Sequence, residues 1–266
     1  RNPIDESIAI CERLSKDDIP CIYAVGMKGG SGGYEHAKQL KERGAHVILL
    51  DVANGGTEAV RRAAMEIKEK LGLTIIAGNV SSYEQAVQYT KDGIDIARVG
   101  IGGGGLCTTR IKTGVGTPQL SAIFEAVASG IDVIADGGIH YPGDVAKALA
   151  AGAKTVMIGS MFGGADETPG VVSEGKKVVR GQASASYMED NNVSRSKHRT
   201  AEGITTEVVA IGSIQEIIED ISGGLRSSMT YVGASNLEEF VERSQFVTIS
   251  GATQKENLPH ILFDRK

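Results

Sequence analysis

The chain has 266 residues, 41% hydrophobic and 23% charged, which suffices for a packed core and excludes the disordered class. Its formal charge of −5 contains no basic block, which argues against nucleic acid as a partner, and no apolar run is long enough to span a membrane. Cys11, Cys21 and Cys107 stand at unrelated spacings and suit a reducing compartment, so the cytoplasm is the expected location.

Taken in chain order, Cys11 falls in a helical pattern and Cys21 opens the first of six short apolar runs. These runs are Cys21–Met27, His46–Gly56, Leu73–Val80, Ile94–Gly102, Ile131–Gly138 and Lys154–Gly164. Near-continuous apolar runs of this length predict parallel strands buried on both faces. Helical patterns lie between them, with Ser82 and Thr117 as cap-like starts and Gly44, Gly72, Gly93, Gly130 and Gly152 as stops. Strands alternating with helices predict a parallel α/β sheet, doubly wound or closed as a barrel.

A TIM (β/α)8 barrel is favoured, because the unusual residues all fall just past strand C-termini, where such barrels collect their chemistry. Those residues are Asp51, Asn79, the run Gly100–Cys107, Asp136–Gly138 and Gly159–Ser160. Six strands rather than eight, in a chain starting at Arg1, lead to the expectation that two strands lie upstream. We read 1–266 as one catalytic barrel domain. Residues 171–205 are too polar for a core and read as a mobile lid. Ser213–Gly233 then resumes as an amphipathic helix and a glycine-bounded turn.

Gly100, Gly102 and Gly105 satisfy the spacing G-x-G-x-x-G after a strand, but CTTRIKTGVGTPQ does not predict the helix that a dinucleotide-binding fold requires there. Cys107 is either a small buried hydrophobe or a nucleophile; its polar, glycine-rich loop near Arg110 and Lys112 supports the second. Backbone N–H groups of Gly137, Gly138 and Gly159, with Ser160, could cradle a phosphate, and Asp136 could accept from ribose hydroxyls. The bland alternative is that these glycines only permit tight turns. Asp51 and Asn79 could be simple helix caps, and Glu202 a solvated charge. Met157 and Met161 read as core.

The runs VGIGGGGLCTTRIKTGVGTPQLSA and IADGGIHYPGDVAKALAAGAKTVMIGS closely resemble the family of IMP dehydrogenases and GMP reductases, a likeness extending from about Tyr23 to Gly251. The resemblance implies a TIM barrel that forms homotetramers and binds GMP or IMP beside a nicotinamide cofactor, NADPH or alternatively NAD. It implies that Cys107 attacks C2 of the purine, with Thr109 and Glu202 delivering protons. Asp136, Gly137, Gly138, Gly159, Ser160, Gln182, Ala183, Ser184 and Arg199 would bind substrate, and Asp51 and Asn79 the cofactor. Carbonyls of Gly102, Gly104 and Cys107 would offer a potassium site.

Three features are similar to the reductase branch: LLDVANGG, HRTAEGITTEV, and a polar segment lacking the Arg-Tyr pair with which dehydrogenases activate water. Gly103, Gly105 and Gln182 depart from the family's usual Pro, Ser and Met, and the tail Ser250–His260 is more like a dehydrogenase's. The expected reaction is reductive deamination of GMP to IMP and ammonia. Oxidation of IMP to XMP is the nearest rival, and a non-catalytic nucleotide-binding barrel the rival of another class.

Overall fold

The computed structural model describes residues 3–27, 33–190, 200–251, 253 and 257. All six predicted strands form: β1 (Ile22–Val25), β2 (Val47–Asp51), β3 (Thr74–Val80), β4 (Ile96–Val99), β5 (Asp132–Asp136) and β6 (Thr155–Met157). They pair in parallel in strict sequential order. A doubly wound sheet would place its first strand in the middle, so the sheet is singly wound, as in a barrel. Among the described residues it stays open, with β1 and β6 at its edges.

Helices cover one face of the sheet: α1 (Ile4–Lys16), α2 (Tyr34–Lys41), α3 (Glu58–Leu71), α4 (Tyr83–Lys91), α6 (Gln119–Val127) and α7 (Pro142–Ala150). The main core lies between sheet and helices and includes Cys11, Ile48, Leu50, Ile75, Val99 and Val133. A smaller cluster of Leu49, Ile76 and Ile134, with Met157 against it, fills the concave side. Alternate strand residues thus serve two cores, which is why the runs look continuously apolar. Ser82 caps α4 by accepting from Gln85 N–H. Pro118, not Thr117, occupies the cap position of α6, since proline's fixed φ suits a helix entrance.

Three local expectations are corrected. A five-residue helix, α5 (Thr109–Thr113), does open behind the cysteine loop, ending at Gly114 in the left-handed region. Residues 171–205 are not devoid of regular structure. β7 (Val172–Ser173), β8 (Lys176–Arg180) and β9 (Thr205–Val209) form an antiparallel sheet, with α8 (Ala185–Asp190) between the last two. Here the backbone is satisfied by strand pairing with β9, which needs no continuous apolar sequence. No turn interrupts α9 (Ile214–Val232): the Gly223–Gly224 pair lies inside the helix, and a Cβ on Gly224 would come within 2.8 Å of Pro142. There glycine serves close packing of α9 on α7. Helix α10 (Leu237–Arg243) closes the described structure by burying Phe240 against α7.

Candidate active site

The glycine loop after β4 is shaped by close approach. Gly100 has φ +141°, and a Cβ there would stand 2.1 Å from Asp136 O. A Cβ on Gly105 would come within 2.8 Å of Ser160 Cβ. Side chains at either position would push apart the ends of β4, β5 and β6, so glycine brings three strand ends together. Gly138 N–H donates to Gly103 O at 2.8 Å. This corrects the sequence expectation for Gly138, whose amide is spent on joining the two loops rather than offered to a phosphate. Gly159 and Ser160 sit in an exposed turn after β6, Ser160 opening a 3₁₀ turn (Ser160–Phe162).

Cys107, half-buried, ends the loop. Its Sγ donates to Thr109 Oγ1 at 3.2 Å, and the Thr109 hydroxyl donates to Glu202 Oε2 at 2.7 Å. The three groups form one proton path from thiol to carboxylate. Glu202 reaches it because residues 202–204 lie as a strap along the cysteine loop. Thr108 N–H donates to Glu202 O at 2.8 Å and Ile204 N–H to Leu106 O at 3.0 Å. The strap's other edge is held at the Gly181–Ser184 turn, where Gly181 N–H donates to Ile204 O and Glu202 N–H to Ala183 O. Glu202 is therefore not a solvated charge. Arg110 does not approach the thiol through a hydrogen bond; its guanidinium donates to Thr117 O at 2.7 Å.

Of the substrate residues expected on the lid, Gln182 and Ala183 are exposed beside the strap, whereas Ser184 is buried. The Ser184 hydroxyl accepts from Tyr187 N–H at 3.3 Å. Arg199 lies outside the described residues.

Asp51, Asn79 and Asp136 are drawn into one cluster by Arg98, which the sequence reading passed over. The Arg98 guanidinium contacts Asp51 Oδ1, and its Nε and Nη2 meet Asp136 Oδ2 at 3.0 and 2.9 Å. Asn79 Nδ2 donates to the same Oδ2 at 2.8 Å and to Gly100 O at 2.6 Å. Asp51 and Asn79 are thus not helix caps. Arg98 could have been noticed as the lone cation within the run IDIARVGIG, since an arginine in a buried strand needs partners. Gly78 admits it: a Cβ there would stand 2.6 Å from Arg98 Cβ.

Arg98→Met would leave two mostly buried carboxylates facing each other without their cation. Breaking such a pair costs about 3–5 kcal/mol. Urea unfolding is therefore expected to show a lowered midpoint; an unchanged midpoint would refute the pairing.

Among the described residues no helix is long and apolar enough to cross a membrane. The IMP dehydrogenase / GMP reductase domain matches residues 12–260 of the chain. The inosine-5′-monophosphate dehydrogenase of Streptococcus pyogenes is 41% identical over a match covering 89% of this chain and 51% of that protein. The corresponding enzyme of Rhizobium tropici is 39% identical, with the same coverage. A crystal structure of a GMP reductase from Trypanosoma brucei, in complex with guanosine 5′-monophosphate, matches with a TM-score of 0.84 at 35% identity. That match covers 91% of this chain and 52% of the reductase. The chain spans about half the length of these relatives. With its sequential parallel sheet and its cysteine loop at the strand ends, the chain belongs to the IMP dehydrogenase / GMP reductase family.

Proposed function

We propose that the protein carrying this chain is a GMP reductase, converting GMP to IMP and ammonia through a covalent bond to Cys107. The observation that carries this reading is the thiol–hydroxyl–carboxylate path Cys107–Thr109–Glu202. Replacing an amino group by hydrogen requires the amine to depart with a proton before hydride arrives. A nucleophile divides this into two easier steps, and a positioned acid assists the departure.

In the first step the Cys107 proton passes to Glu202 through Thr109, and sulfur bonds to purine C2. The C2–N bond then breaks, and the relay returns that one proton to the departing amino group, which leaves as ammonia with a thioimidate on Cys107. In the second step C2 gains hydride and the C2–S bond breaks, releasing IMP and restoring the thiolate. Nicotinamide, when bound as NADPH, supplies that hydride. Asp51 and Asn79 suit such a partner: Asn79 donates inward through Nδ2, which leaves its Oδ1 as an acceptor for a carboxamide. Asp136 suits a ribose hydroxyl, since all three of its bonds fall on one oxygen, Oδ2.

A potassium ion also fits the chemistry of the cysteine loop. The Gly102, Gly104 and Cys107 carbonyls are hard oxygen donors, and Thr108 Oγ1 in the same loop is a buried oxygen without a hydrogen-bond partner among the described residues. Binding there would steady the loop that carries the thiol. Assembly to a homotetramer belongs to the same reading.

The names of the Streptococcus and Rhizobium relatives favour a second reading, IMP dehydrogenase. In that reaction the same sulfur attacks, hydride leaves C2 for NAD, and water releases XMP. Nicotinamide absorbance in two mixtures separates the readings. With GMP and NADPH, a fall in absorbance accompanied by ammonia is expected. A rise with IMP, NAD and potassium instead would make the protein a dehydrogenase, and silence in both would favour a non-catalytic barrel.

A further inference from the structure

Lys177, in β8, is 2% exposed and has no role in the proton path or the Arg98 cluster. Burying a lysine is costly unless its charge is matched. Here its hydrogen bonds go to backbone carbonyls among the described residues, and the Glu167 carboxylate adds an opposite charge nearby. Nζ donates to Ala165 O at 2.5 Å, Thr168 O at 2.5 Å and Asp166 O at 3.3 Å. Three carbonyl dipoles around one ammonium make a cage of the kind that a bound cation would otherwise organise.

The caged segment is the continuation of the turn that carries Gly159 and Ser160. Gly163 N–H donates to Ser160 O, Ala165 N–H to Phe162 O and Thr168 N–H to Ala165 O. The Thr168 hydroxyl donates back to Phe162 O. The turn is thus folded on itself from Ser160 to Thr168. On its other side Lys177 is a rung of the β8–β9 ladder, opposite Val208. The chain entering β9 is the strap that holds Glu202 against the cysteine loop. Gly163 seals the contact between these parts: a Cβ there would lie 3.2 Å from Val179 Cγ1 and 3.7 Å from Val208 Cγ2.

We infer that Lys177 is a positioning residue, a built-in cation that locks the Gly159–Ser160 turn to the sheet presenting Glu202. Nucleotide binding at the turn and the proton path at Cys107 are thereby set by one buried contact. The nucleotide half of this inference rests on the function proposed above; the coupling of Lys177 to the thiol does not.

The test is alkylation of Cys107 by iodoacetamide, followed by mass spectrometry of its peptide, in the native chain and in Lys177→Met. Rates are taken across pH and across GMP concentrations. In the variant, protection is expected to need about tenfold more GMP, the scale of one charge-assisted hydrogen bond. The pH midpoint of alkylation is also expected to move, because Glu202 is no longer held on Thr109. A lowered melting temperature with both midpoints unchanged would overturn the inference, leaving Lys177 a purely structural residue. If GMP and IMP fail to protect even the native chain, the nucleotide reading falls, and the pH midpoint alone decides the role of Lys177. Should Lys177→Met not fold, Lys177→Gln keeps a shorter donor in the cage. It is expected to shift both midpoints in the same direction by less, and no shift would again refute the inference.

Discussion

Cys107→Ala is expected to abolish turnover while leaving nucleotide affinity within a few-fold of the native value. Deleting a nucleophile that works within a relay removes the covalent route altogether, a loss on the order of 10⁶-fold in kcat. Affinity should survive because the residues proposed to hold ribose and phosphate, Asp136 and Ser160, are fixed independently of the thiol. Asp136 is held by Arg98 and Asn79, and Ser160 by the folded turn after β6. Rapid-mixing absorbance and calorimetric titration with GMP read the two quantities separately. Full activity in the variant would sink the covalent mechanism, and loss of binding together with activity would show that the loop had collapsed.

The second large effect is expected at the far end of the relay. Glu202→Gln keeps the shape of the side chain and the backbone bonds of the strap, but its amide cannot shuttle the thiol's proton. A loss of about 10²–10⁴-fold in kcat is expected, the range typical of a positioned acid or base. Thr109→Val, which breaks the path in its middle, should cost a similar amount. The double variant should then cost little more than either single change, because the residues act as one unit. Additive losses in the cycle would mean that Thr109 and Glu202 act separately. In either variant, slow formation of the thioimidate with hydride transfer unaffected would place the relay at the deamination step.

The strands could be read locally because each is a dense apolar run bounded by glycine or a polar residue, and the helices because their apolar spacing and glycine stops repeat. The small antiparallel sheet of β7, β8 and β9 was not legible in this way. Its strands KKVVR and TTEVV bury one face only in part, so they carry little periodic signal. Lys177 in particular reads as a surface charge in any local window; only the carbonyls of Ala165, Asp166 and Thr168 reveal it as buried. Arg98 was visible as an oddity, yet its partners, 47 residues before it and 38 after, were not.

By itself, then, the sequence determined the alternation of strand and helix, the placement of reactive residues at strand ends, and the identity of the cysteine loop through its run of glycines. These properties depend on neighbours within a few residues, where side-chain period and backbone preference act directly. Only the tertiary structure decided that Glu202 meets Thr109 across 93 residues, that Gly138 spends its amide on Gly103, and that Arg98 binds two carboxylates together. Such contacts depend on the path of the chain between them, which closes only when the strand ends pack, and no local pattern encodes that path.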